Sequence, residues 1–178
     1  STDSYGTGNG NIRVDSSILK TSGSSAGLTM YANGFISISS GVTIGVPTGY
    51  NGVGAVDISL LNLGSPPTSP GVISTISMIG TLRSNGGQIT IGGYAGGYYG
   101  AMTAAGSSNG QPAVYISGTV DSTYNSTPTS GGNIYIGGKA TGNGTGLQIS
   151  SSTIKSGGNS IILTGEGYYS GGGSAYGI

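Results

Sequence analysis

Aliphatic residues alternate with small polar ones in brief segments along this chain, and each segment is closed by Gly, Asn or Ser. The clearest are Ile12-Arg13-Val14, Phe35-Ile36-Ser37-Ile38, Val42-Thr43-Ile44-Gly45-Val46, Val56-Asp57-Ile58-Ser59-Leu60 and Ile89-Thr90-Ile91. Val114-Tyr115-Ile116, Ile134-Tyr135-Ile136, Leu147-Gln148-Ile149 and Ile161-Ile162-Leu163 continue the series. Alternation at period two predicts short strands with one buried face. No apolar stripe survives two helical turns, and glycine recurs too often for helix propensity to recover. The pattern predicts an all-β chain.

The segments repeat. Gly131-Gly132-Asn133-Ile134-Tyr135-Ile136-Gly137-Gly138 matches Gly86-Gly87-Gln88-Ile89-Thr90-Ile91-Gly92-Gly93, and, with one slip, the stretch from Gly157 to Gly165. A second block runs from Gly146 through Leu147-Gln148-Ile149 and Lys155 to Gly157 and resembles Asn11 to Gly23. Looser copies start at Ala55-Val56 and Ala113-Val114. On this alignment Lys20 and Lys155 share a place in the repeat, and so, nearly, do Asp15 and Asp57. The units differ in length, and the variation falls in loops such as Ser65 to Pro70, Gly92 to Gly110 and Ser122 to Ser130. Stacked coils tolerate such insertions because a loop bulges outward without breaking the ladder.

We therefore expect a right-handed parallel β-helix, a solenoid with variable Gly/Ser-rich loops. Residues 1–178 read as a single solenoid repeat region, a segment of a longer array or a filament subunit. The alternative is an irregular β-sandwich, although a sandwich core asks for larger side chains than these paired Ile, Val and Leu. Roughly 20 residues per coil would give about eight or nine coils and a rod of about 40 Å. Strands should begin near Ile12, Val56, Val114 and Leu147. Ile12, Val14, Val56, Ile58, Val114, Ile116, Leu147 and Ile149 should be buried.

The unit Gly-Leu-x-Ile-x-Ser-Ser-x-Ile-x-Ser-Gly-Gly-Asn-x-Ile-x-Leu-Thr-Gly, seen between Gly146 and Gly165, resembles the repeats of filamentous haemagglutinin-type adhesins. The likeness is best from Gly131 to Ile178, fair from Asn9 to Ile44 and weak between. Those adhesins are large proteins exported by two-partner secretion and folded as right-handed parallel β-helices. The resemblance covers shaft repeats alone, so it implies a shaft and carries over no functional residue.

Composition narrows the chemistry. Gly supplies 39 residues, charged residues are 6% of the chain, and His and Cys are absent. A histidine general base, a His- or Cys-built zinc site and a Cys or Ser–His nucleophile are thereby excluded. Asp3, Asp15, Asp57, Asp121 and Glu166 are scattered singly, as are the five bases, and the formal net charge is zero. No basic stripe offers itself to nucleic acid. The glycine pairs are followed by Gln88, Asn133 or Asn159 rather than the Asp series of calcium-binding rolls. We expect no catalytic residue, no metal, no cofactor and no enzyme activity. No apolar run approaches the roughly 18–20 residues of a membrane span.

Tyrosine is the one residue type rich enough to suggest a ligand: there are 12. Tyr98-Tyr99 and Tyr168-Tyr169 occupy matching glycine-rich loops, where exposed rings stack on sugars or anchor a partner. These four are the candidate ligand-binding residues. Asn125-Ser126-Thr127 and Asn143-Gly144-Thr145 match the glycosylation sequon, as chance allows in such a composition. The expected function is a structural or adhesive component of a bacterial extracellular fibre or cell-surface filament. The alternative is a carbohydrate-binding surface module that uses the tyrosine loops. Expected partners are identical subunits or a continuing chain end to end, with glycans or a host or neighbouring cell surface beyond. Gly177-Ile178 repeats the place of Gly146-Leu147, so the array is expected to be open-ended.

Overall fold

The computed structural model describes residues 10–32, 34–50, 52–62, 76–92, 112–125, 127–140 and 144–167. Their strands fall into five successive coils of three. The first holds β1 (Ile12–Val14), β2 (Ile18–Leu19) and β3 (Ala26–Ala32), the second β4 (Ile36–Ile38), β5 (Thr43–Gly45) and β6 (Val56–Asn62). The third holds β7 (Ile76–Met78), β8 (Thr81–Arg83) and β9 (Ile89–Gly92). The fourth runs through β10 (Val114–Ile116), β11 (Thr119–Asp121), an inserted pair β12 (Thr123–Tyr124) and β13 (Thr127–Gly131), then β14 (Ile134–Lys139). The fifth holds β15 (Leu147–Ile149), β16 (Thr153–Lys155) and β17 (Ile161–Glu166).

Corresponding strands pair in parallel from coil to coil. They build three five-stranded sheets, ordered β1-β4-β7-β10-β15, β2-β5-β8-β11-β16 and β3-β6-β9-β14-β17. This is the strand arrangement of a parallel β-solenoid. Among the described residues there is no helix, and the β12–β13 hairpin is the one antiparallel pairing. An irregular sandwich of antiparallel strands is thus not the fold.

Parallel, in-register pairing turns the period-two pattern into columns. Leu28, Ile58, Ile89, Ile134 and Ile161 stack in the third sheet, and Ile18, Ile44, Leu82, Val120 and Ile154 in the second. The first sheet stacks Ile12, Ile36, Ile76, Val114 and Leu147. All three faces feed one hydrophobic cluster. Burying one such side chain fully contributes about 1.5–3 kcal/mol, so the columns carry the stability.

The corners explain much of the glycine. A Cβ on Gly118 would lie 2.0 Å from the Gly80 carbonyl oxygen, and one on Gly132 would lie 2.0 Å from that of Gly87. Consecutive coils touch backbone to backbone here, and no side chain fits between them. Buried serines close the corner between the second and third sheets. The hydroxyls of Ser84 and Ser122 donate to the carbonyls of Gly87 and Gly132, both at 2.6 Å, and Ser156 donates to Asn159 at 2.5 Å. Each thereby satisfies a carbonyl that the turn takes out of the ladder.

Several expectations stand and several are corrected. All nine segments are strands, beginning at Ile12, Val56, Val114 and Leu147 where anticipated. Six of the eight anticipated core residues are buried; Ile12 and Ile149, in the end coils, are partly so. Among the described residues the coils are fewer and longer than expected: five, stacking to about 24 Å. The Val56 block lies in the third sheet and not beside Ile12, whose neighbour is Ile36. Asp15 and Asp57 are therefore not equivalent. Neither are Lys20 and Lys155, because the path from Ile149 to Ile154 is one residue longer than the register-matched path from Val14 to Ile18. Ser151, at φ 51°, absorbs the extra residue. Lys155 instead stacks on Asp121, which stacks on Arg83.

Candidate functional site: coil ends and a corner cleft

Two places on the molecule differ from the self-satisfied middle of the stack. The first is the pair of ends. Ile44, Leu82 and Val120 are 0% exposed, yet Ile18, in the same column, is 42% exposed. Ile58, Ile89 and Ile134 are likewise 0% exposed, and Ile161 in their column is 41%. Among the described residues no strand pairs with the outer edges of β1, β2 and β3, or of β15, β16 and β17. The first end opens a hollow of about 680 Å³ lined by Ile12, Val14, Ile18, Met30 and Tyr31 among others. Arg13 and Asp15 pair at its rim at 2.8 Å. The Asp15 carboxyl is held below its ordinary value by the Ser39 hydroxyl first and the Arg13 guanidinium second.

The second is a cleft at the corner between the second and third sheets. Three connections meet there: the loop after β5, the turn after β8 and the β12–β13 hairpin. Arg83 and Asp121 are register partners with their side chains on the outer face, since Leu82 and Val120 point inward. Asp121 is nevertheless only 4% exposed. Its Oδ1 accepts from the Thr123 amide at 3.0 Å and hydroxyl at 2.6 Å, and its Oδ2 faces Arg83 Nη2 at 3.4 Å. Arg83 Nη1 donates to the Thr48 hydroxyl.

Two asparagines tie the connections together. Asn85 Nδ2 donates to the Val53 carbonyl at 2.7 Å, and Asn85 Oδ1 accepts from the Asn125 amide at 2.7 Å. Both have positive φ, 50° and 48°, which asparagine tolerates better than other non-glycine residues. Tyr50, 44% exposed, stands on the rim. The cleft holds about 10 Å³, enough for about one water-sized group. Arg83 and Asn125 both line it, and each carries one buried polar atom without a protein partner: Arg83 Nε and Asn125 Oδ1.

The anticipated ligand residues Tyr98, Tyr99, Tyr168 and Tyr169 lie outside the described residues, as do Asn143 and Gly177-Ile178. The cleft was legible in one respect. Thr81-Leu82-Arg83-Ser84, Thr119-Val120-Asp121-Ser122 and Thr153-Ile154-Lys155-Ser156 repeat a Thr-aliphatic-charge-Ser pattern that fixes the register of Arg83 with Asp121. Each described carboxylate has a structural partner: Asp15 with Arg13, Asp57 with the Gln88 amide, Asp121 with Arg83, Glu166 with Lys139. Among the described residues no three acids gather as a metal site would require, and no helix is long and apolar enough to cross a membrane. No family model, no curated protein and no solved structure matches the chain.

Proposed function

We propose that this chain is a structural segment of an extracellular fibre, its coil stack prolonged at both ends by further coils. The observation that carries the reading is the exposure of Ile18 and Ile161 in columns whose inner members are fully buried. The two ends are complementary, since each continues the same three columns: Ile12, Ile18 and Leu28 on one side, Leu147, Ile154 and Ile161 on the other. Contact of β15, β16 and β17 with the first three strands of a following unit would leave every column unbroken. Such a head-to-tail contact does not close, and repetition gives a filament. A following unit is a second copy of the chain or more of the same polypeptide.

The remaining features agree with a shaft and not with a catalyst. The described carboxylates are spent on local partners, and the chain is rich in small polar residues and sparsely charged, as suits a secreted bacterial cell-surface fibre of the adhesin type. In this reading the coil is right-handed, the hand that parallel crossover connections nearly always take. Sedimentation velocity and negative-stain microscopy of the purified chain test the proposal. Sedimentation coefficients that rise with concentration, together with rods one coil stack wide, are the expected result. A monodisperse monomer at every concentration would overturn it.

A further inference from the structure

We propose that the corner cleft beside Tyr50 is a binding site for one hydroxyl group of a neutral saccharide. The argument is independent of the fibre reading. Arg83 Nε is a buried donor without an acceptor, and Asn125 Oδ1 is a buried acceptor without a donor. Leaving such groups unmade costs more than a hydrogen bond returns, so a native protein retains them where something else supplies the partner. A hydroxyl carries both complements, an oxygen that accepts as Arg83 Nε requires and a proton that donates as Asn125 Oδ1 requires.

Charge selects among hydroxyl-bearing ligands. An anionic group entering the cleft would meet the electronegative Asn125 side-chain oxygen, and a cationic group would meet the Arg83 guanidinium, the one charged group lining it. Arg83 and Asp121 compensate one another, which leaves a site for a neutral ligand. Volume excludes a whole sugar ring from the cleft, which at about 10 Å³ takes a single hydroxyl. The ring must then lie across the rim, where the exposed Tyr50 offers the flat apolar face on which sugar C–H groups stack. Asn85 holds the arrangement from beneath, bonded to both the Val53 carbonyl and the Asn125 amide, so the site is built before the ligand arrives.

Ligand-observed saturation-transfer NMR tests this whether the protein is a monomer or a filament. Neutral hexoses (glucose, galactose, mannose) are presented beside glucuronate, glucosamine and glycerol. At least one neutral hexose should receive saturation, in the weak millimolar range, while the charged sugars and glycerol receive little. Tyr50→Ala, which removes an exposed ring, should weaken binding about tenfold, and Tyr50→Phe should retain it. Asn125→Gly keeps the positive φ while deleting the acceptor, and should weaken binding by a similar factor. Saturation of no hexose, or equal saturation of glycerol, would mean the cleft holds a water or any small polyol and would overturn the proposal. So would a hexose signal indifferent to both Tyr50→Ala and Asn125→Gly.

Discussion

Coils two to four and the two end coils are made of the same residue types in the same columns, and they have opposite surroundings. Ile134 has a coil on each side and is wholly buried, whereas Ile161, its direct register partner in β17, is exposed on its outer side. The side chain is the same, and so is the face of the sheet. In the second and third sheets exposure rises at the ends of the stack, as expected where each coil touches only its neighbours, whereas Leu147 of the first sheet stays buried in the last coil. The end coils therefore hold the stability that remains to be gained by adding another coil.

The largest test of that contrast is truncation within one column. Ile134→Ala should cost about 2–5 kcal/mol, because coils on both sides fix the cavity and the narrow core has little to refill it. Ile161→Ala, in the open last coil, should cost well under half as much in the isolated chain. Denaturant unfolding of the two variants measures the difference, and equal losses would mean that the ends are covered.

Glycine gives the next contrast. Gly132→Ala drives a methyl onto the Gly87 carbonyl between two inner coils and should cost about 1–3 kcal/mol. Gly27→Ala, in the first coil's β3, meets nothing within 4 Å and needs no unusual backbone. It should be neutral, or stabilising by about 0.4–1 kcal/mol through the unfolded chain. Melting temperatures of the two variants separate packing from backbone entropy.

The smallest effect concerns Asp15 at the first end. Its carboxyl titrates below the ordinary 3.8, so its contribution is present above that value and fades as the pH falls through and below it. Asp15→Asn should melt slightly lower than the parent near neutrality, and the gap should vanish in strong acid. Thermal melts across that range measure it. A gap that widens in acid would reverse the assigned direction.

How much of this could be read in advance follows from what each residue pattern marks. The Gly-Gly-Asn or Gly-Gly-Gln corners gave Ile89, Ile134 and Ile161 their true alignment, because the glycine there is held against the neighbouring coil's backbone and the preceding serine bonds a turn carbonyl. Val56 has no such marker before it. A bare Val-Asp-Ile fits any of the three sheets, so its placement waits for the structure. β3, Ala26–Ala32, escaped notice because its Ala, Gly and Thr are largely exposed and weakly patterned. β8 offers a single inward residue, Leu82, too little to show a period. The corner cleft was half legible. The repeated Thr-aliphatic-charge-Ser pattern aligns Arg83 with Asp121, but the meeting of Tyr50, Asn85 and Asn125 depends on two insertions, after β5 and at β12–β13, that bulge at the same corner.

Amide hydrogen exchange, followed residue by residue at low and high protein concentration, tests the central claim that the coil ends are open stacking surfaces. Amides of β8, β9, β11 and β14 should be protected at both concentrations. Those of β2 and β3 at one end and β16 and β17 at the other should exchange quickly in dilute protein and slow together as the concentration rises. End-strand amides that are already as slow as the inner ones in dilute protein would contradict it, and so would end-strand amides that stay fast at every concentration.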